Sequence, residues 1–274
     1  MLGINNNVTT LGGAQNALNR NQGALENTQE RLASGQRINR AADDAAGLVL
    51  ITQFAAQITG NAQGGRNLSD GISMVQTADA GVSQISDAVQ RIRDLSLQSA
   101  NGTLSDADRA ALQTETSALQ EQISQTIETT AFNGIPLLTQ DSELQIQAGA
   151  KAGDSLAVGT RDIQGQLNAF GFDKIDLSTS SDAASALKVL DQSSDYLNGI
   201  RGEFGATQNR MDASMRNLEQ SNLNTAAAQS RIQDTDYARE IAEQAQSQIR
   251  TQTNVAMLAQ GNRISAQFVS QLLA

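Results

Sequence analysis

Side chains able to do chemistry are scarce in this protein. It has no His and no Cys, which removes the imidazole base, the thiolate nucleophile and the usual zinc ligands together. Asp234 and Asp236 have the spacing of a cation-binding pair, but a calcium loop needs a longer ligand pattern closed by a bidentate Glu, so they read as a helix break with caps. Arg37, Arg40, Asp43 and Asp44 could form an ion site. The i,i+4 spacing of Arg40 and Asp44 points instead to a salt bridge at a corner between two helices. Gly64-Gly65 lacks the Lys-Ser/Thr context of a phosphate loop. Carboxylates for glycoside chemistry are present in number, but they want a deep pocket, which a slender helical rod does not offer. Met211 and Met215 read as core gap-fillers. The reading is therefore not an enzyme, with no catalytic residue, no cofactor and no metal ligand set.

Composition narrows the partners as well: 29 Asp and Glu against 19 Lys and Arg leave a net charge of -10. A nucleic-acid partner wants a basic face, and an anionic membrane surface wants the same, so both are disfavoured. No apolar stretch is long enough to span a bilayer, and MLGINNNVTTLGG has neither the basic nor the apolar region of a secretory signal. With one Pro, no Trp and an Ala, Leu, Gln, Asn, Ser and Glu-rich mixture, long helices are expected.

The periodicity agrees. Ile4, Leu11, Leu18, Leu25 and Leu32 recur at a spacing of seven, with Ala14, Gln22 and Thr28 between them, as one thin apolar edge on a polar helix. A second run starts at Leu48, Ile51, Ala55 and Ile58, crosses Gly60, Gly64 and Gly65, and resumes as Val75, Ala78, Val82, Ile85, Val89 and Ile92. Uninterrupted by Pro from 44 to 100, it predicts a rod of about 57 residues, roughly 85 Å long. Ser105 with Asp108 predicts the capped start of a third helix over about 104–130, which Asn133 and Gly134 stop. Alternation at Leu144, Ile146 and Ala148, and again at Leu156 and Val158, predicts a β-hairpin turning on GAKAG. The rest of 135–180 reads as irregular. A seam through Leu187, Leu190, Ser194, Leu197, Arg201, Phe204, Gln208, Met211, Met215, Leu218 and Ile232 predicts a second long helix over 182–233, with Ile200 flanking Arg201. A last helix carries Ile241, Ala245, Ile249, Val255, Leu258, Val269 and Leu272. The fold class is mainly α: a long-helix coiled-coil bundle with a small β-hairpin region.

Residues 1–19 hold no charge, and 254–274 hold only Arg263. Solvated helices carry charge on their outer face, so these ends expect another neighbour. Their thin seams return too little burial energy to repay the ordering of both ends in isolation. The terminal segments are therefore expected to fold when other copies of the protein surround them. Head-to-tail contacts between such copies generate open helical filaments.

Particular motifs sharpen this. ERLASGQRINRAADDAAG (30–47), NLSDGISMVQTADAG (67–81), QRIRDLSLQSANGT (90–103), TAFNGIPLL (130–138), GATQNRMDASMRNL (205–218) and SRIQDTDYARE (230–240) resemble bacterial flagellin, in order and across nearly the whole sequence. The resemblance implies a discontinuous terminal coiled-coil domain, 1–43 with 236–274, lining the filament core, and a rod domain over 44–235. It implies a short form without the variable outer domains. It also implies a secreted, extracellular protein that leaves unfolded by type III export and assembles with itself into the filament used for motility. Implied partners are a filament cap protein, a hook-filament junction protein and an export chaperone at the C-terminal helix. Gln90, Arg91, Leu95 and Glu115 match positions that Toll-like receptor 5 recognises in flagellins of enteric bacteria. The subunit contacts would lie on Ile4, Leu11, Leu18, Leu25 and Leu32 and on Ile241, Ile249, Val255, Leu258, Val269 and Leu272. Two alternatives stay open at this point: a hook-filament junction protein, and a secreted helical interaction module acting as a monomer.

Overall fold

A computed structural model describes the backbone of residues 2–273 and the side chains of residues 11–267 and Ser270. The described protein runs α1 (Leu2–Ser34), α2 (Ala45–Ser99), α3 (Asp106–Thr129), β1 (Ala131–Phe132), β2 (Ile135–Pro136), β3 (Ser142–Gln147), β4 (Ser155–Thr160), α4 (Ile163–Phe170), a 3-10 turn (Phe172–Lys174), α5 (Ser180–Gln233) and α6 (Tyr237–Leu273). It is a mainly α protein with two small antiparallel hairpins. Two compact units are formed, one by the two ends up to Ala56 and from Asn224, the other by Gln57–Leu223.

The Gln57–Leu223 unit holds the main apolar core. From α2 come Leu68, Val75, Val82, Ile85, Val89 and Ile92; Ile123 and Ile127 come from α3, and Leu190, Leu197, Ile200, Phe204 and Met211 from α5. Each such burial is worth about 1.5–3 kcal/mol relative to exposure. Met215 packs against this core, so both methionines fill it. The stripe on α5 keeps Leu190, Leu197, Phe204 and Met211 of the expected seam but differs at the positions between them. Ser193 and Ile200 are the buried residues, not Ser194 and Arg201, and Arg201 turns outward to Asp79 at 3.1 Å. The stripe begins on Ala183 and Ala186, small residues that put those positions one step before where a count begun at Leu187 falls.

At the start of α3, the Ser105 hydroxyl accepts from the Asp108 N–H while the Asp108 carboxylate accepts from the Ser105 N–H, a full capping box. Beneath it the buried guanidinium of Arg109 donates to the Asn101 carbonyl at 2.9 Å and to Ser99 Oγ at 3.4 Å.

Asn133 and Gly134 do not stop α3, which ends at Thr129 with Thr130 as its cap. With φ of 50° and 79° they form the two-residue turn joining β1 to β2, paired as Ala131 with Pro136 and Phe132 with Ile135. The second hairpin pairs Leu144 with Val158 and Ile146 with Leu156. It lies against α2 where glycines allow it: a β-carbon on Gly60 would stand 2.6 Å from the Ala150 β-carbon, and one on Gly64 2.7 Å from the Ala148 carbonyl carbon.

The segment after β4 is not irregular. Asp162 caps α4 by accepting from the Gly165 N–H at 2.8 Å, and Gly171 ends it at φ 90°. Ile163, Leu167 and Phe172 fill the core beneath it. Gln113 then holds the following turn, accepting from Leu177 N–H at 2.7 Å, and Gln120 donates to the Phe172 carbonyl at 2.6 Å.

Candidate functional site

The two ends of the protein form an antiparallel helix pair. Leu11 lies against Gly261, and Leu32 against Tyr237. On α1 the covered positions include Leu11, Ala14, Leu18, Asn21, Leu25, Thr28 and Leu32, an alternating 3,4 stripe of the coiled-coil kind, with Ala17, Gly23, Glu30 and Arg31 partly covered beside it. Asn21, not Gln22, occupies the step between Leu18 and Leu25. A β-carbon on Gly261 would stand 2.6 Å from Leu11 Cδ2, so the glycine permits this close approach.

On α6 the corresponding stripe is Glu240, Gln244, Ser247, Thr251, Asn254, Leu258, Gly261 and Ser265. It keeps the same 3,4 rhythm but is polar or small at every position except Leu258. Of the aliphatic residues singled out in the sequence, Leu258 is on this stripe, whereas Ile241, Ile249 and Val255 lie elsewhere and are 55%, 63% and 51% exposed. Met257 is 55% exposed as well. The side chains of Ile4, Val269 and Leu272 lie outside the described residues.

Glu240 is buried within this pair, 3.7 Å from Arg31. That distance is a charge contact without a hydrogen bond. The carboxylate sits in the first turn of α6, where the helix dipole favours negative charge.

The two interhelix connections are tied together by backbone bonds. Arg37 N–H donates to the Gln233 carbonyl at 2.6 Å, and Thr235 N–H to the Gly35 carbonyl at 3.1 Å, around a bridge between Gln36 and Asp234. The Arg37 guanidinium adds a bond to the Ile232 carbonyl at 2.7 Å. Asp236 caps α6 by accepting from Ala238 and Arg239 N–H at 3.0 and 3.3 Å, and Asp234 accepts from the Ser230 hydroxyl. These two carboxylates are thus cap and clasp.

The expected Arg40–Asp44 salt bridge does not form. Arg40 pairs with Glu30 of α1, which raises the guanidinium pKa through hydrogen bonding and charge. Asp44 caps α2, accepting from Gly47 N–H at 2.8 Å. Asp43 accepts from the N–H groups of Arg40 and Asn39 at 2.9 and 3.1 Å, which lowers its pKa. Each carboxylate serves its nearest free backbone donors, leaving Asp44 unavailable to Arg40.

Of the residues matched to receptor recognition, Gln90 and Arg91 are exposed on α2, and Glu115 is exposed on α3. Arg91 donates to Glu115 from Nη2 at 2.7 Å and from Nε at 3.0 Å. Leu95 is 2% exposed, within the core.

Sequence reasoning did not find Glu240, Gly261 or the Gly35–Thr235 clasp. Glu240 looks like any first-turn acid, and a backbone bridge has no signature in residue type. Among the described residues no group of three or more acidic side chains is placed to hold a metal ion, and no helix is long and apolar enough to cross a membrane.

Long helices with covered polar seams, paired ends and an uncovered aliphatic face define a helical structural subunit. Residues 4–143 match the bacterial flagellin N-terminal helical region, and residues 176–273 match the C-terminal helical region. A flagellin of Halalkalibacterium halodurans is 37% identical over 272 residues, spanning 98% of this chain and 99% of that one. A flagellin of Bacillus subtilis is 35% identical over 303 residues, with 98% and 99% covered. The crystal structure of Bacillus cereus flagellin superposes with a TM-score of 0.50 at 30% identity, covering 60% of this chain and 94% of that one. The chain belongs to the bacterial flagellin family, as a short form without an outer domain, and is a structural subunit of the flagellar filament.

Proposed function

We propose that this subunit polymerises through its two ends, with 1–43 and 236–274 acting together as the terminal coiled-coil domain at the filament core and 44–235 as the surrounding rod. The observation that carries this is the inverted character of α6. Its polar stripe turns toward α1 while Ile241, Ile249 and Val255 stay uncovered. In water that arrangement leaves apolar area exposed, and further copies of the protein supply the missing cover. The helix pair is then the conformation reached on assembly, when neighbouring subunits offset the ordering cost of the ends.

This reading assigns no catalysis to the protein. It makes the protein secreted by the type III route. Its other partners are a cap protein, a hook-filament junction protein and a chaperone holding α6 before export. Gln90, Arg91 and Glu115 would be the exposed part of a Toll-like receptor 5 site, with Leu95 supporting them from below.

The test is polymerisation of purified protein on filament seeds. Replacing Ile249 and Val255 together by Gln leaves the melting of the Gln57–Leu223 unit unchanged and abolishes elongation. Deleting residues 254–274 does the same. Normal filament yield from either variant overturns the proposal.

A further inference from the structure

Three Asn-Gly dipeptides occur in the sequence, at 101–102, 133–134 and 198–199, and the fold puts each in a different backbone setting. We propose that Asn133 is a site of spontaneous deamidation, the intact protein converting there to aspartate and isoaspartate while its two sister sites are held back.

The chemistry needs only water. The backbone nitrogen of the following Gly attacks the carboxamide carbon of the Asn and forms the new C–N bond. The carboxamide's own C–N bond breaks, and its nitrogen leaves as ammonia after taking up the proton lost from the backbone amide. Water then opens the resulting five-membered imide at either carbonyl, giving aspartate or isoaspartate with no change of oxidation state. Glycine in second place favours ring closure because no side chain shields its nitrogen. Closure also requires the Asn backbone and side chain to rotate toward each other, so local rigidity sets the rate.

Asn133 meets these requirements best. Asn133 and Gly134 are both exposed at the tip of the β1–β2 hairpin. Each strand of that hairpin is two residues long, so few bonds resist a local opening. Among the described residues, no hydrogen bond to the Asn133 carboxamide or from the Gly134 N–H is formed.

Asn101 is also exposed but held at four points. Its N–H donates to Gln98, its carbonyl accepts from Leu104 N–H and from buried Arg109, and its carboxamide oxygen accepts from Thr103 N–H at 3.2 Å. Asn198 lies well inside α5. The Gly199 nitrogen there belongs to the helical ladder, and ring closure demands a local break in the helix.

The product differs from its parent in two ways that the structure can register. Isoaspartate adds a methylene to the backbone, which the two-residue turn pairing Phe132 with Ile135 cannot absorb. Either product also places a carboxylate at the rim of the groove that Asn133 shares with Asp70.

The experiment incubates full-length soluble protein at mildly alkaline pH and follows the three sites by peptide mass spectrometry. Asn133 should gain the amide-to-acid mass first, with Asn198 slower by about tenfold or more because its helix must open. A lead by Asn101 or Asn198, or equal rates at all three, overturns the proposal. Asn133→Gln, whose longer side chain closes a six-membered ring far more slowly, should lose the gain at 133 and keep that at 101. If that variant does not fold, the comparison of three sites within the unaltered protein still decides. Because soluble protein is used, the outcome is independent of whether polymerisation proceeds through α6.

Discussion

Tyr237 donates its phenolic proton to the backbone carbonyl of Leu32 at 3.1 Å, and the same hydroxyl oxygen stands 3.2 Å from where a β-carbon on Gly35 would lie. Gly35 has φ of 70°, a conformation that costs an L side chain about 1–2 kcal/mol. Gly35→Ala therefore adds backbone strain and displaces the Tyr237 hydroxyl. Tyr237→Phe removes only the hydrogen bond, worth about 0.5–1.5 kcal/mol, toward the low end because Tyr237 is half exposed. Both variants should speed hydrogen exchange at the Arg37 and Thr235 amides, which donate across the clasp. The alanine variant should have the larger effect. In the double variant the combined effect should be less than the sum of the two, since the hydroxyl that the new methyl group would displace is already gone.

The Arg91–Glu115 pair and Leu95 separate two roles that one sequence motif runs together. Arg91 and Glu115 are 55% and 45% exposed at the side chain, so Arg91→Ala should cost no more than about 1 kcal/mol. Leu95→Ala empties a buried position and should cost about 2–5 kcal/mol. Thermal unfolding followed by circular dichroism should show this split. If the receptor reads this surface, Arg91→Ala should lower signalling by folded monomer without moving the melting temperature, while the loss from Leu95→Ala should track instability.

Acid sensitivity should come from the turn carboxylates. Asp108 is held below the ordinary carboxylate pKa by the Ser105 hydroxyl and then the Ser105 N–H. Asp176 is lowered in the same way by Ser178, and Asp43 by the N–H groups of Arg40 and Asn39. For a depressed pKa the unfolded state takes up its proton first as pH falls. The stabilisation is thus complete above the unfolded pKa of about 4 and is lost as pH drops through the lower folded value. The melting temperature should be level through neutrality and decline below that point. Asp108→Asn should lower it at neutral pH and make the acid decline shallower. An unchanged decline would remove Asp108 from the account.

The α1 stripe was legible because, among the described residues, its leucines Leu11, Leu18, Leu25 and Leu32 are the large apolar side chains of the helix and all are covered. On α5 the helix, its rhythm and the seam positions Leu190, Leu197, Phe204 and Met211 could be read, but the positions between them could not. Ala183 and Ala186 set the buried face, and alanine is too neutral to announce it, so the count fell on Ser194 and Arg201 instead of Ser193 and Ile200. On α6, counting apolar residues picks out Ile241, Ile249 and Val255, which turn away from α1 and are expected to meet other subunits. The polar and small stripe that packs on α1 carries no hydrophobic signal to count beyond Leu258. The α4 helix had a readable signature in Asp162 and Gly171, and the first hairpin had one in Asn133-Gly134. The helix was obscured by the glycines around it, Gly159 and Gly165, and the hairpin by strands of two residues, which leave no alternation to count. Backbone hydrogen bonds between segments distant in sequence, as between Arg37 and Gln233, leave no trace in residue type.

The adjacent glycines of α2 should respond to the same substitution with opposite sign. Each gains about 1 kcal/mol of helix propensity on becoming alanine. At Gly65 nothing lies within 4 Å of the new β-carbon, so Gly65→Ala should stabilise by up to that amount. At Gly64 the β-carbon would stand 2.7 Å from the Ala148 carbonyl carbon and 2.8 Å from the Gly149 nitrogen. Those are backbone atoms of the hairpin turn and cannot swing aside as the tip of a side chain can. Forcing them apart costs about 1–3 kcal/mol in packing and loosens the nearby bond from Asn67 Nδ2 to the Gln147 carbonyl. The clash offsets or exceeds the propensity gain, so Gly64→Ala should be neutral to destabilising by about 2 kcal/mol. Paired denaturation curves for the two variants check this. A gain at Gly64 equal to that at Gly65 would mean that the β3–β4 turn does not rest on α2.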